Sequence, residues 1–447
     1  MQTTHKPASE TKLFLKSFSY FESASQPAWL LPLRRTGIAR FAELGFPTTH
    51  DEDWRFTDIT PLAKLPFKPM FEPAADTAAK SALEKYIFAH LPGPKLVFVN
   101  GHCSMLLSSV GALPGGVKVS NLATALATDS AFVEGLLGHC ALTEDNSFAA
   151  LNQALFIDGG FIRVPAGVSV QEPIQLIFIS TAKHDGETIQ PRNLIVAEAN
   201  SKATVIESYI SANNAAYFTN TVTEIIAGDS TTLEYLKFQN EAAKAFHLAT
   251  IAGRLGRASD VNVHSFALGA KLSRTSIRAK LAGEDLKCIF NGLYLTRDEQ
   301  LADHHMIVEH AQPHCASHEY FNGILDDKSK GVFHGRILVH QPAQKTDAKQ
   351  TSKNLLLSDD ATVNAKPQLE IYADDVKCTH GATVGQLNDE SIFYLRSRGI
   401  GRDTARRMLI HAFAGEIIAR VKCDPVREEL DKIVWERLEA NPHLLGK

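Results

Sequence analysis

The sequence predicts a mixed α and β chain whose core is a right-handed parallel β-helix flanked by N-terminal and C-terminal helical regions. Three observations carry that expectation. From about Gly160 to Tyr372, short β-branched runs alternate with small polar tips, the pattern of strands joined by tight turns. These strand-tip-strand units recur with their tips about 26 to 29 residues apart, in the range where a fixed period marks a solenoid. On both sides the apolar residues recur at steps of three and four, so helices stand where a solenoid needs its end coils covered. A β-sandwich would also give many short strands, but few of the turns here are Asn-Gly or Asp-Gly hairpin pairs and the unit is a doublet.

The chain divides accordingly into residues 1–145, mainly helical, residues 146–385, the β-helix core, and residues 386–447, a helical platform. Leu13, Leu15, Phe18 and Phe21, then Leu30, Leu33, Ile38, Phe41 and Leu44, give a helical pattern between about Thr11 and Leu91. Asp51-Glu52-Asp53-Trp54-Arg55-Phe56-Thr57 reads as a charged, aromatic loop. Lys95–Val99 reads as a strand, and Leu122 to Leu137 as a helix. In the core, the tips are Asn200-Ser201, Asp229-Ser230, Arg257-Ala258-Ser259 and Glu284-Asp285.

The helical period returns at Asn388, a side chain suited to N-capping, and Gly399 is placed to end that helix. A second helix from Asp403 carries Met408, Leu409, Ala412, Phe413, Ile417 and Val421 on one stripe. A third begins at Asp424-Pro425 with Val426, Leu430, Ile433, Val434 and Leu438. These stripes either pack on one another and on the last coil, or form a docking platform. As a platform, the tail beyond Gly399 is expected to be removable with the β-helix left folded.

Composition narrows the function. A chain of 447 residues with 44% hydrophobic and 21% charged residues is an ordinary globular protein. Its net charge of −4 argues against a nucleic-acid binder working through a basic field. No uninterrupted apolar run is long enough to span a membrane, and Met1-Gln2-Thr3-Thr4-His5-Lys6-Pro7 lacks the apolar core of a secretory signal. Cys103, Cys140, Cys288, Cys315, Cys378 and Cys423 form neither a disulfide framework nor a Cys-x-x-Cys zinc pair, which fits a reducing cytoplasm. A phosphate-binding loop, a Gly-x-Ser-x-Gly elbow and a His-Glu-x-x-His helix are all missing, so ATP hydrolysis by this chain itself is not expected.

Two segments carry ligand chemistry. Cys378 and His380 stand two apart on a strand and so share a face, with Thr379 on the other. Facing outward, a thiol and an imidazole suit iron or sulfur; facing inward, they are a small hydrophobe and a hydrogen-bonded ring. The histidine-rich run His304, His305 and His310 offers more ligands, but strand alternation sends His304 and His305 to opposite faces.

Longer motifs add a family. The run Gln344-Lys345-Thr346-Asp347-Ala348-Lys349-Gln350 through Lys366-Pro367-Gln368-Leu369-Glu370-Ile371-Tyr372, followed by Cys378-Thr379-His380-Gly381-Ala382-Thr383, resembles the SufB/SufD family of iron-sulfur cluster assembly scaffolds. Asp53-Trp54-Arg55-Phe56-Thr57 and Phe156-Ile157-Asp158-Gly159-Gly160 resemble the family's N-terminal and core-opening signatures. Ser352-Lys353-Asn354 stands where the SufB branch has Cys-Asp-Ser, so the resemblance is to the SufD branch.

That resemblance implies a scaffold without catalysis of its own. It would pair with SufB through the C-terminal end of the β-helix and offer its C-terminal helices to the SufC ATPase. A nascent iron-sulfur cluster, or iron, would be held at the junction, with His380 as the ligand on this side and Cys378 secondary. Reduced flavin, and sulfur from a cysteine desulfurase through SufE, belong to the same picture, with no flavin site placed on these residues. The isolated chain could form a homodimer. Two rival readings are a β-helical carbohydrate-active enzyme, which would need paired carboxylates on one face, and a homodimeric metal-binding protein using the histidine-rich run.

Overall fold

The computed structural model describes residues 9–73 and 77–440. The opening segment Met1–Pro7 lies outside the described residues. The middle of the chain winds into a parallel β-helix of about eight turns. Each coil gives one strand to each of two facing sheets: Phe218–Ala227 lies in the first, Thr232–Asn240 in the second, and Phe246–Leu255 returns to the first. Phe218 pairs with Phe246, Phe246 with Leu272, Leu272 with Leu301 and Leu301 with Lys330, so the period legible in the sequence is the length of one coil.

The polar tips are the corners where the chain passes from the first sheet to the second. Asn200, Ser230, Ala258, Asp285, His314 and Lys345 all have positive φ, the left-handed backbone that turns the corner sharply. Each tip donates its N–H to a carbonyl of the next coil, as from Asn200 to Asp229 and from Ser230 to Arg257. This ladder makes one corner fix the next, which offsets the cost of left-handed backbone at residues other than glycine.

Between the sheets, alternate residues point inward and build an apolar core that includes Ile195, Val205, Tyr235, Ile251, Val263, Ile277, Phe290, Met306, Phe321 and Phe333. The N-terminal end is closed. Lys118–Asn121 runs antiparallel against the first-sheet strand Gly160–Val164, and His102–Cys103 antiparallel against Lys95–Val99, which extends the second sheet.

Helices cover the flanks. Leu30–Leu44 packs on Ser147–Leu155, close enough at Gly37 that an added Cβ would lie 2.8 Å from the Ala150 carbonyl oxygen. Together they shield Phe218, Phe246, Leu248 and Leu272. Ser147–Leu155 has no counterpart in the sequence reading: every residue in it is buried, the polar Asn152 and Gln153 included, so no solvent-facing polar side marks it as a surface helix. The helix expected over Leu122 to Leu137 is two, Leu122–Thr128 and Ser130–Glu134, broken at Asp129.

At the other end, Arg402–Ile418 and Asp424–Glu439 lie on the outer face of the second sheet. Ile410, Ala414, Ile417, Leu430 and Val434 pack there with Leu236, Phe238, Leu293, Ile324 and Leu355. The third-helix stripe is as the spacing predicts. The second is rotated: Ala405, Ile410, Ala414, Ile417 and Ile418 are buried, whereas Met408 and Ala412 face solvent. These helices are part of the solenoid's own packing, so the tail is not a removable appendage. No helix among the described residues is long and apolar enough to cross a membrane.

Candidate functional site

The last coil has no successor. Thr362–Ile371 ends the first sheet and Lys377–Gly385 ends the second, each paired along one side only. Strands of this length, with an unpaired row of backbone donors and acceptors, are a template for another chain. They have none of the covering given to the N-terminal end. The last strand is exposed along most of its length, with Val384 on it 52% exposed, and Tyr372, just past Thr362–Ile371, is 63% exposed.

Cys378 and His380 lie on that last strand. Register aligns Ala348 with Cys378 and Gln350 with His380, and both Ala348 and Gln350 are buried between the sheets. Cys378 and His380 therefore share the inward-pointing face, yet His380 is exposed because no coil follows to cover it. The choice between an outward ligand pair and an inert buried pair assumed that inward means buried, and at an open end it does not. Cys378 is half-buried against Ile337, Val339 and Ala348, and burial raises its thiol pKa. The His380 side chain makes no hydrogen bond among the described residues, leaving its ring open to an incoming group.

Beneath His380 the same column continues inward through Gln350 to Glu319. Gln350 Nε2 donates to Glu319 Oε2 at 2.5 Å, and burial pushes the Glu319 carboxyl up to about 8. A protonated carboxyl and an amide thus stand directly behind the exposed imidazole. Neither residue was singled out from the sequence, although one coil length back from His380 is Gln350, so the period held the signal.

The histidine-rich run is not brought together. His304 points inward to Ser265 Oγ at 2.9 Å and His310 inward to Ser317 Oγ at 2.8 Å, and burial lowers them to about 3 and about 4. His305 points outward, away from both, toward Asp53.

A second exposed feature adjoins the open end. The helix Asp389–Ser397, capped by Asn388 Oδ1 accepting from Glu390 and Ser391 N–H and ended at Gly399 with φ of 86°, buries only Ile392. It presents Phe393 and Tyr394 at 72% and 56% exposure. The two adjacent rings form an exposed apolar patch on this helix.

The chain is thus a parallel solenoid closed at one end and open at the other, with a thiol and an imidazole on the open strand. The chain belongs to the SufBD family of iron-sulfur cluster assembly proteins: residues 8–176 match the SufBD protein N-terminal region and residues 178–413 the SUF system FeS cluster assembly SufBD core domain. It is 33% identical to an iron-sulfur cluster assembly SufBD family protein of Synechocystis, over 97% of this chain and 96% of that one. It is 30% identical to the iron-sulfur cluster assembly protein SufD of Escherichia coli, over 91% of this chain and 93% of that one. With SufD of Bacillus subtilis it shares 27% identity over 95% and 97% of the two chains.

Proposed function

We propose that this chain is a SufD-type scaffold subunit that pairs with SufB through its open coil, binds the SufC ATPase at its C-terminal helices, and holds iron or a nascent iron-sulfur cluster at the junction. The uncovered terminal coil carries the reading. A second β-helix placed against Thr362–Ile371 and Lys377–Gly385 would satisfy both strand edges and enclose His380 between the chains. Within that enclosure a neutral imidazole is a ligand for iron, and Cys378 stands one alternation away on the same face. Behind it in the same column lie the Gln350 amide and the buried Glu319 carboxyl.

The SufC contact falls on the Phe393 and Tyr394 surface, because the two later helices are already engaged with the second sheet. The chain itself acts without catalysis, in the cytoplasm. Sulfur would come through SufE and a cysteine desulfurase. Reduced flavin belongs to the same complex, with its site unassigned.

Co-expression with SufB and SufC, followed by native mass measurement, tests the assembly. One copy of this chain with one SufB and two SufC is the expected result. A homodimer that ignores SufB under the same conditions would refute the pairing.

A further inference from the structure

On the outer face of the first sheet, one coil in from the terminal strand Thr362–Ile371, three ligand atoms converge apart from Cys378 and His380. His305 and His334 are register neighbours on adjacent coils, with ring centroids 4.4 Å apart and planes at 88°. The N-terminal loop lays Asp53 across them, so that Asp53 Oδ1 lies 3.3 Å from His305 Nε2 and 3.8 Å from His334 Nδ1. All three ligand atoms fall within 4.8 Å of one another.

From these positions we infer a binding site for a divalent first-row transition ion, Zn(II) or Fe(II), held by Asp53, His305 and His334 and bolting the N-terminal loop to two successive coils. Metal-ligand bonds of about 2.1 Å in tetrahedral geometry set ligand atoms about 3.4 Å apart, close to the spacings found. Two imidazoles and one carboxylate are a donor set suited to such ions.

The hydrogen bonding around the site fixes which atoms face the ion. His334 Nε2 lies 2.7 Å from Gln368 Oε1, a carbonyl oxygen that accepts from it, so Nδ1 is the ring nitrogen turned toward Asp53. This is the arrangement in which a ligating histidine is oriented through its other nitrogen. His305 Nε2 is buried without a well-formed hydrogen bond.

Asp53 is held in place independently of any ion. Arg274 donates to the Asp53 carbonyl oxygen at 2.9 Å and stacks 3.9 Å over Trp54, while Thr57 donates to Asp303 at 2.6 Å. The guanidinium is itself paired with Asp303, so its charge does not stand unopposed beside the site.

The test uses the full chain, stripped of metal by a chelator and titrated anaerobically with Co(II), Zn(II) and Fe(II). One equivalent of Co(II) should give the visible bands of nitrogen and oxygen ligation with no thiolate charge-transfer band. Zn(II) should raise the melting temperature of the wild type. Asp53→Asn, on an exposed loop, and His334→Gln should each weaken binding by more than about tenfold and abolish the thermal shift. Circular dichroism of the metal-free variants confirms that they are folded, and Asp53→Asn decides alone if His334→Gln is not. A wild type that binds no stoichiometric ion, a thiolate band, or undiminished binding by Asp53→Asn would each overturn the assignment.

Discussion

His380 owes its availability to the ending of the sheet. Its column neighbours Gln350 and Glu319 are buried by the strand that follows each of them, and His380 has no such strand. His380→Ala should therefore leave the fold and the partner contacts intact, because one ring contributes little beside the backbone pairing of two strand edges and the few buried anchors that carry most interface energy. Iron content and visible absorbance of the anaerobically purified complex should fall severalfold at unchanged mass. Cys378→Ala should have a smaller effect, and His304→Ala, whose ring is sealed in the interior, a smaller one still. A His380→Ala complex with wild-type iron would remove the residue from the site.

Interior titrating groups make a separate prediction. Burial pushes the imidazoles of His247, His304 and His310 down to about 4, 3 and 4, and raises the Glu319 carboxyl to about 8. An unfolded chain protonates its histidines near about pH 6.5, where the native chain keeps these three neutral, so their contribution is lost as pH falls through that range. Glu319 acts oppositely: the native carboxyl keeps a proton that the unfolded one sheds above about pH 4.3, so its contribution fades as pH rises toward 8. Three groups against one leave a net loss of stability on acidification from about pH 6.5 to about pH 4.5. The slope is on the order of 1.4 kcal/mol per pH unit for each net proton. Urea midpoints of metal-free protein measured across that range should fall, and a rising midpoint would contradict the assignment.

At the scale of elements, one buried ion pair ties the N-terminal region to the solenoid. Glu224, on the strand Phe218–Ala227, accepts from Arg192 Nη2 at 2.6 Å and from the backbone N–H groups of Gly138, Cys140 and Ala141, with both charged side chains fully buried. Glu224→Gln leaves Arg192 without a counter-charge and should cost roughly 3–5 kcal/mol in chemical denaturation, the range for removing one partner of a buried pair. The open strand calls for the opposite kind of change. Val384→Lys places a charge on an exposed edge position, the device by which proteins block strand addition. The isolated chain should keep its melting temperature and lose SufB in co-purification; retained pairing would place the interface elsewhere.

At the scale of the whole molecule, the C-terminal helices behave as a cover before they behave as a platform. Ending the chain at Gly399 would uncover Leu236, Phe238, Leu293, Ile324 and Leu355, a continuous apolar face of the second sheet. Such a truncation should be insoluble or should bind a hydrophobic dye strongly, as large exposed apolar patches do. Phe393→Ala with Tyr394→Ala is the sounder probe of ATPase docking, since both rings already face solvent and their loss should leave the melting temperature unchanged.

The coil period, the polar tips, the flanking helices and the strand carrying Cys378 and His380 were all legible in the chain, because each is set by neighbours close in sequence. Alternation put Cys378 and His380 on one face, and separated His304 from His305, before any fold was known. Helix Ser147–Leu155 was not legible, since Asn152 and Gln153 are buried with its apolar residues and no exposed polar face sets it apart. Nor was the direction of the Arg402–Ile418 stripe, which the opposing sheet selects from several apolar positions. The convergence of Asp53 with His305 and His334 lay beyond local reading, because it joins a loop to coils more than half the chain away. What the tertiary structure alone decided is where the solenoid stops: side-chain direction follows from backbone geometry residue by residue, but exposure depends on whether another coil is there to cover the strand.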